Sequence, residues 1–179
     1  ELERVIPAIE QLSLKGIYVS IDTMRAEVAK AAVDAGAQMV NDVSGGLSDP
    51  HMLTTVARLG VPIVLMHWRG PSKTMQENIH YANPVTEVCA ELHSVAKAAQ
   101  LAGIKSGNII LDPGIGFGKE AVHNWKLLRN VDTLLALGYP ILIGVSRKRF
   151  LGGLLAASDG TPRTVGERDT ASAVLAAHI

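Results

Sequence analysis

The chain has one cysteine, Cys89, in 179 residues. An internal disulfide is therefore impossible, and a reducing cytoplasm is the expected location. Cys89 falls in a helical pattern and reads as a small buried hydrophobe. Net charge is also missing, because Lys plus Arg and Asp plus Glu number 17 each. A balanced charge gives no electrostatic reason to expect nucleic acid or an anionic membrane as partner. No apolar run approaches the ~20 residues of a membrane span. Glu1 to Val5 lack the basic start and apolar core of a signal peptide, and there is no initiator methionine. Leu2, Val5, Ile6, Ile9 and Leu12 already share one helical face, and the chain stops inside another helical pattern, Ala171 to Ile179. Both ends read as cuts within a longer protein.

What is present is alternation. β-branched runs at Ile17 to Ile21, Gln38 to Asn41, Val61 to Met66, Asn108 to Leu111 and Pro140 to Val145 predict strands. Helical patterns lie between them: Met24 to Ala35 closed by Gly36, Asp49-Pro50 to Leu59 closed by Gly60, and Asn83-Pro84 to Ala102 closed by Gly103. A fourth runs from His123 to Leu137 before Gly138, a short one sits near Lys148, and the last begins near Glu167 after a polar loop, Ser158 to Thr164. The loop from His67 to Ala82 is long for such a fold. The strands are almost wholly apolar, as expected of parallel strands covered on both faces. No linker or charge block divides residues 1–179, which predicts one α/β domain, either a (β/α)₈ barrel or a doubly wound sheet.

The strand ends separate these two. Each of the five is polar: Asp22-Thr23, Asn41-Asp42, His67-Trp68-Arg69, Asp112-Pro113 and Ser146-Arg147-Lys148. A barrel gathers such positions at one mouth, whereas an open sheet uses one switch point, so the barrel is favoured. Each end also has a structural reading. Asp22 or Thr23 could cap the next helix, and Asn41-Asp42 could be turn chemistry before Gly45-Gly46. Lys148 and Arg149 could be a solvated helix start, although a cation there opposes the helix dipole. Taken together, two aspartates, an asparagine and a lysine suit a fused nitrogen heterocycle carrying amino and oxo groups. The carboxylates accept from an N–C–NH₂ edge, and Lys donates to a carbonyl oxygen.

Three patterns fail. Gly114 to Glu120 looks like a phosphate-binding loop, but Pro113 stands where the Walker pattern needs Gly and Glu120 where it needs Ser or Thr. Its third glycine also comes one residue early for a dinucleotide fingerprint. The six histidines lack the spacing of a zinc site and read mostly as surface or structural residues. Ser146 has no nucleophile elbow around it.

Five segments in order resemble dihydropteroate synthase, a family of pterin-binding TIM barrels. They are Ser20 to Thr23, Asn41 to Gly45, Met66 to Gly70, Leu111 to Lys119 and Gly144 to Phe150. His67-Trp68 and Arg149 to Gly152 are similar to the actinobacterial branch. The resemblance implies condensation of 6-hydroxymethyl-7,8-dihydropterin diphosphate with p-aminobenzoate, giving 7,8-dihydropteroate and diphosphate for folate synthesis. It implies pterin contacts at Asp22, Asn41, Met66, Asp112, Phe117 and Lys148, with Asp22 and Lys148 in catalytic roles. It also implies a p-aminobenzoate and sulfonamide pocket bordered by Ser146, Arg147 and Arg149. A magnesium ion is implied, with its ligand outside this chain, and so is a homodimer of the full protein. By the same resemblance the chain covers barrel strands three to seven, and the piece by itself is expected to be inactive. A methyltetrahydrofolate-dependent methyltransferase barrel is the nearest alternative, and an inactive pterin-binding fragment is the other.

Overall fold

The computed structural model describes residues 1–70 and 79–179. Part of the long loop expected after His67 lies outside the described residues. Four parallel strands, β1 (Ser20–Asp22), β2 (Met39–Asp42), β3 (Ile63–Met66) and β4 (Ile109–Asp112), form one sheet in the order β1-β2-β3-β4. The helices are α1 (Leu2–Leu14), α2 (Ala26–Asp34), α3 (Met52–Leu59), α4 (Pro84–Leu101), α5 (Ala121–Arg129), α6 (Val131–Leu135), α7 (Arg149–Leu154) and α8 (Asp169–His178). Contacts run α1 to α2, α2 to α3, α3 to α4 and α4 to α5. Consecutive helices therefore stand side by side on one face of the sheet. Strand order without reversal and helices on one side are the winding of a (β/α) barrel, and they exclude a doubly wound sheet.

The pleat divides each strand between two environments. Burial alternates along β1, β2 and β4, while all of β3 is buried. Ile21, Val40, Ile109 and Leu111 face the helices and join one apolar cluster with Val56, Leu92 and Leu127. Asp22, Asn41 and Asp112 point to the other, more open face, where successive side chains must alternate. The expectation of uniformly buried strands is thus met only by β3.

Local chemistry explains where the elements start and stop. Asn83 accepts from the Val85 and Thr86 N–H groups and Pro84 occupies the first turn of α4, the expected cap. Cys89, on α4, is partly rather than fully buried. The start expected at Asp49-Pro50 moves: α3 begins at Met52, and Asp49 instead receives the N–H of Ala26 at 2.7 Å, across the chain at the start of α2. That hydrogen bond and one from His51 hold the Asp49 carboxyl below its usual value. The first strand is shorter than expected. Ile17 and Tyr18 are exposed and precede the register in which β2 offers backbone partners.

Two further expectations are corrected. The helix expected over His123 to Leu137 breaks at Asn130, whose amide donates to the Lys126 carbonyl at 2.8 Å and so competes with the helical ladder. The fifth strand shrinks to a single parallel bridge, Leu111 to Ile141, made by Leu111 N–H to Pro140 O (3.0 Å) and Leu142 N–H to Leu111 O (2.9 Å). The next bond of a parallel ladder would come from the N–H of residue 113, and Pro113 has none. Asn83→Ala should cost about 1 kcal/mol of stability through the lost cap, read as a lower urea midpoint with unchanged slope.

Candidate functional site

The site is built on the C-terminal ends of β1, β2 and β4 and on the segment that follows the Ile141 bridge. Asp22 and Asn41 are register partners on adjacent strands. The Asn41 amide donates to Asp22 Oδ2 at 3.0 Å. Among the described residues this leaves Asp22 Oδ1 and the side-chain oxygen of Asn41 on the open face, while the Asn41 backbone carbonyl accepts from the Thr23 N–H at 3.0 Å. Thr23 takes the turn role that Asp22 could have had, accepting from the Arg25 N–H at 3.2 Å. Asp42 goes to the opposite face from Asn41. It is wholly buried and accepts from Ser44 N–H, Ser44 Oγ–H and Gly46 N–H at 2.7–2.8 Å. Burial raises the Asp42 carboxyl, against the pull of those donors. The pair Asn41-Asp42 is therefore both things weighed for it: one residue for the site, one for the turn.

Met66 and Asp112 are register partners on β3 and β4. Asp112 Oδ1 accepts from the Gly114 N–H at 2.7 Å. Burial pushes its carboxyl above the ordinary value, opposed by that N–H and by the positive charges of Lys119 and Lys148. Lys148 extends over the Phe117 ring, 3.8 Å from its centroid. Burial lowers its ammonium, and Asp112 works against that. Gly116 sits where a Cβ would meet Lys148 Cδ at 2.8 Å, so only glycine lets this lysine lie down on the loop. Asp112, Phe117 and Lys148 thus share one surround, with Met66 beside Asp112 across the strand pair.

The segment Ser146 to Arg149 divides. Arg147 is the one non-glycine residue with positive φ, at 55°, among the described residues. Its backbone is held from α8 and the turn before it: Ser172 Oγ accepts its N–H at 2.8 Å and Arg168 donates to its carbonyl at 3.1 Å. Its guanidinium makes a two-point ion pair with Asp169, at 2.5 and 2.9 Å. Arg149 instead lines a cleft of about 550 Å³ with Gly116, Lys119, Asn124, Trp125 and Phe150. Ser146 is exposed. An apolar groove of about 400 Å³ on the helix side, between Leu47, Leu53, Trp68 and Val95, includes none of Asp22, Asn41, Asp112 or Lys148.

Of the residues that hold this site together, His67, Arg69 and Lys119 lie in segments the sequence singles out but carry no role there, and Tyr81, Glu87 and Glu91 have no signal in those motifs. Lys119, in the loop set aside as a failed phosphate loop, is buried. Its ammonium lies 3.0 Å from His67 Nδ1 and 3.1 Å from the carbonyls of Gly114 and Phe117. His67 Nε2 meets Glu91 on α4 at 2.8 Å. Glu91 and Glu87 both pair with Arg69, which also stacks on Tyr81 with its guanidinium carbon 3.9 Å from the ring centroid. The His67 bond, then Arg69, draws the Glu91 carboxyl down to about 2. One signal was available. Two glutamates four apart on a helix repel unless a cation lies between them, and Arg69 is that cation.

The whole chain, residues 1–179, matches the model of the pterin binding enzyme family, and it belongs to that family. It is 50% identical over 178 residues to the dihydropteroate synthase of Mycobacterium leprae, covering 99% of this chain and 63% of that protein. It is similar to the structure of dihydropteroate synthase from Stenotrophomonas maltophilia with active site-bound imidazole. The TM-score is 0.91 at 43% identity, over 99% of this chain and 65% of that one. It is also similar to the Xanthomonas albilineans dihydropteroate synthase in complex with 7,8-dihydropteroate, with TM-score 0.85 and 41% identity over 99% and 64% of the two chains. The described sheet is an arc of the TIM barrel of these enzymes. The chain spans a little under two thirds of the length of the curated relatives it matches.

A carboxyl whose folded-state pKa is raised above its unfolded value loses native-state stability as pH rises between the two. Asp112 is such a group. Asp112→Asn keeps an acceptor for Gly114 N–H and removes the titration. The stability difference, variant minus wild type, should therefore move in the variant's favour as pH climbs from about 4 to about 7, measured by urea midpoints. A difference that stays constant over that range would contradict the burial of this charge.

Proposed function

We propose that the protein to which this chain belongs is a dihydropteroate synthase, joining 6-hydroxymethyl-7,8-dihydropterin diphosphate to p-aminobenzoate with loss of diphosphate. The observation that carries the reading is one polar face with two carboxylates, an amide and an ammonium, in a chain 50% identical to a dihydropteroate synthase. In this reading Asp112 accepts the 2-amino and N3 protons of the pterin. Asn41 and Asp22 face the remaining ring nitrogens, and Lys148 donates to the oxo group. Met66 and Phe117 wall the ring. The carboxylate of Asp22 stabilises positive charge that spreads into the ring as diphosphate leaves. Ser146, Arg147 and Arg149 border the p-aminobenzoate and sulfonamide side, and Arg149 reaches it through the cleft it lines.

Among the described residues no three His, Cys, Asp or Glu side chains gather around a point that could hold a metal. Magnesium enters the proposal with the diphosphate, its protein ligand expected on a strand outside this chain. Among the described residues no helix is long and apolar enough to cross a membrane. Cytoplasmic location, on the single cysteine, and a homodimer, on the family resemblance, belong to the same proposal.

The test is calorimetric titration of the chain with the pterin diphosphate, with methyltetrahydrofolate in parallel. The pterin diphosphate should bind and methyltetrahydrofolate should not; the reverse preference would favour the methyltransferase reading. Asp112→Ala should weaken pterin binding by about 2–5 kcal/mol, as when one partner of a buried charge-assisted pair is removed. Unchanged affinity would mean that the pterin lies elsewhere. Formation of dihydropteroate from both substrates, followed by chromatography on the full-length protein, tests the reaction itself.

A further inference from the structure

We propose that Lys119 is a positioning residue for pterin recognition. Its ammonium holds the Gly114 and Phe117 carbonyls and faces Asp112 with a positive charge. It thereby sets the carboxylate and the aromatic wall that the pterin meets, and loss of its proton removes that charge and at least one of the hydrogen bonds in this connection. The inference rests on the pterin-binding reading above and adds to it a group that does not touch the ligand.

The geometry comes first. An ammonium has three donors and no acceptor. Lys119 finds three acceptors within 3.0–3.1 Å, namely His67 Nδ1, Gly114 O and Phe117 O. Because Nδ1 accepts, the imidazole proton sits on Nε2, where it is donated to Glu91 Oε2 at 2.8 Å. A neutral amine has two donors, so losing the proton breaks at least one link of the chain Glu91–His67–Lys119–loop. The two carbonyls belong to the turn whose first N–H, that of Gly114, is bound to Asp112. The loop is close packed at this point: a Cβ on Gly114 would lie 2.7 Å from the His67 carbonyl and 3.3 Å from Lys119 Nζ. Movement of the ammonium therefore passes to Asp112 and to Phe117, on whose ring Lys148 rests.

The surroundings make the proton labile. The groups facing Lys119 are Asp112 on β4, His67 and Arg69 after β3, Glu91 on α4 and Lys148 before α7. Burial draws the ammonium down to about 7, with Arg69 and Lys148 adding to the fall, while Asp112 and Glu91 hold it up. Burial lowers the His67 imidazolium below its ordinary value, with Lys119 and Arg69 helping and Glu91 opposing.

The experiment is pterin diphosphate affinity from about pH 6 to about pH 9 for the chain and two variants, with the difference between profiles cancelling the titration of Lys148 and of the ligand. Lys119→Met should bind roughly tenfold more weakly at the acid end, in the range of one lost charged hydrogen bond. It should also lack the decline toward alkaline pH that the unaltered chain shows. Glu91→Gln removes a charge that supports the ammonium, so its decline should move to lower pH. A purely structural role for Glu91 would lower affinity equally at all pH. If Lys119→Met does not fold, the Glu91→Gln midpoint decides, and an unmoved midpoint overturns the proposal. Lys119→Met with wild-type affinity and profile also overturns it. Failure of the unaltered chain to bind the pterin at any pH would instead overturn the proposed function, and this inference with it.

Discussion

A buried ammonium is the interaction on which the rest of the site depends. Removing such a charge from water costs several kcal/mol even after relaxation, and only full hydrogen bonding and a nearby carboxylate offset that. Lys119 has both: three acceptors and the Asp112 charge. It gets them by folding the glycine-rich turn after β4 back on itself and by drawing in His67, the residue after β3. Tyr81 adds a hydroxyl donated to the Gly118 carbonyl at 3.1 Å, which closes the turn from the α4 side. This also explains why a stretch so like a phosphate loop is not one. In a phosphate loop the lysine and the backbone donors point outward at an anion. Here the lysine's three donors are used internally and the Gly114 N–H serves Asp112.

The pleat of the parallel strands then decides which polar residue works and which is scaffold. Asn41 and Asp42 are neighbours in sequence and opposites in space. Asn41 reaches Asp22 on the open face, while Asp42 is sealed under the helices and ties the Ser44 to Gly46 turn. Asp112 stands on the open face because Leu111 occupies the apolar cluster. A slip of one residue in β4 would turn Ile109 and Leu111 outward and bury the Asp112 carboxylate in the apolar cluster under the helices.

Much of this was legible in the sequence, and what was not has a common cause. Runs of β-branched residues, the Asn83-Pro84 start and the Gly60 stop are local signals, and the structure has elements there. The four polar residues chosen for a heterocycle were legible because each ends a strand, and the winding brings strand ends together. The fifth strand failed because its hydrogen bonds depend on a partner: Pro113, on β4's continuation, withholds a donor that nothing in Pro140 to Val145 reveals. The helix after β4 failed at Asn130, where a side chain competes with the backbone. The Lys119, His67 and Glu91 connection joins residues 52 and 24 positions apart. No spacing rule reaches that far, so each residue looked ordinary alone.

Arg147 shows how a strained backbone can sort three adjacent cations. A non-glycine residue at positive φ costs about 1–3 kcal/mol unless its surroundings hold it. The ion pair to Asp169 cannot do this alone, because both side chains are more than half exposed, at 53% and 57%, and water screens such a pair. The stronger hold is Ser172, which is buried, accepts the Arg147 N–H and donates to the Arg168 carbonyl at 2.7 Å. The left-handed step at Arg147 turns its own guanidinium toward α8. It sends Lys148 the other way, onto Phe117 and toward Asp112, and leaves Arg149 at the 550 Å³ cleft. The two arginines of this segment are thus separated: the charge of Arg147 is matched by Asp169, while Arg149 lines the cleft on the other side of Lys148 in sequence.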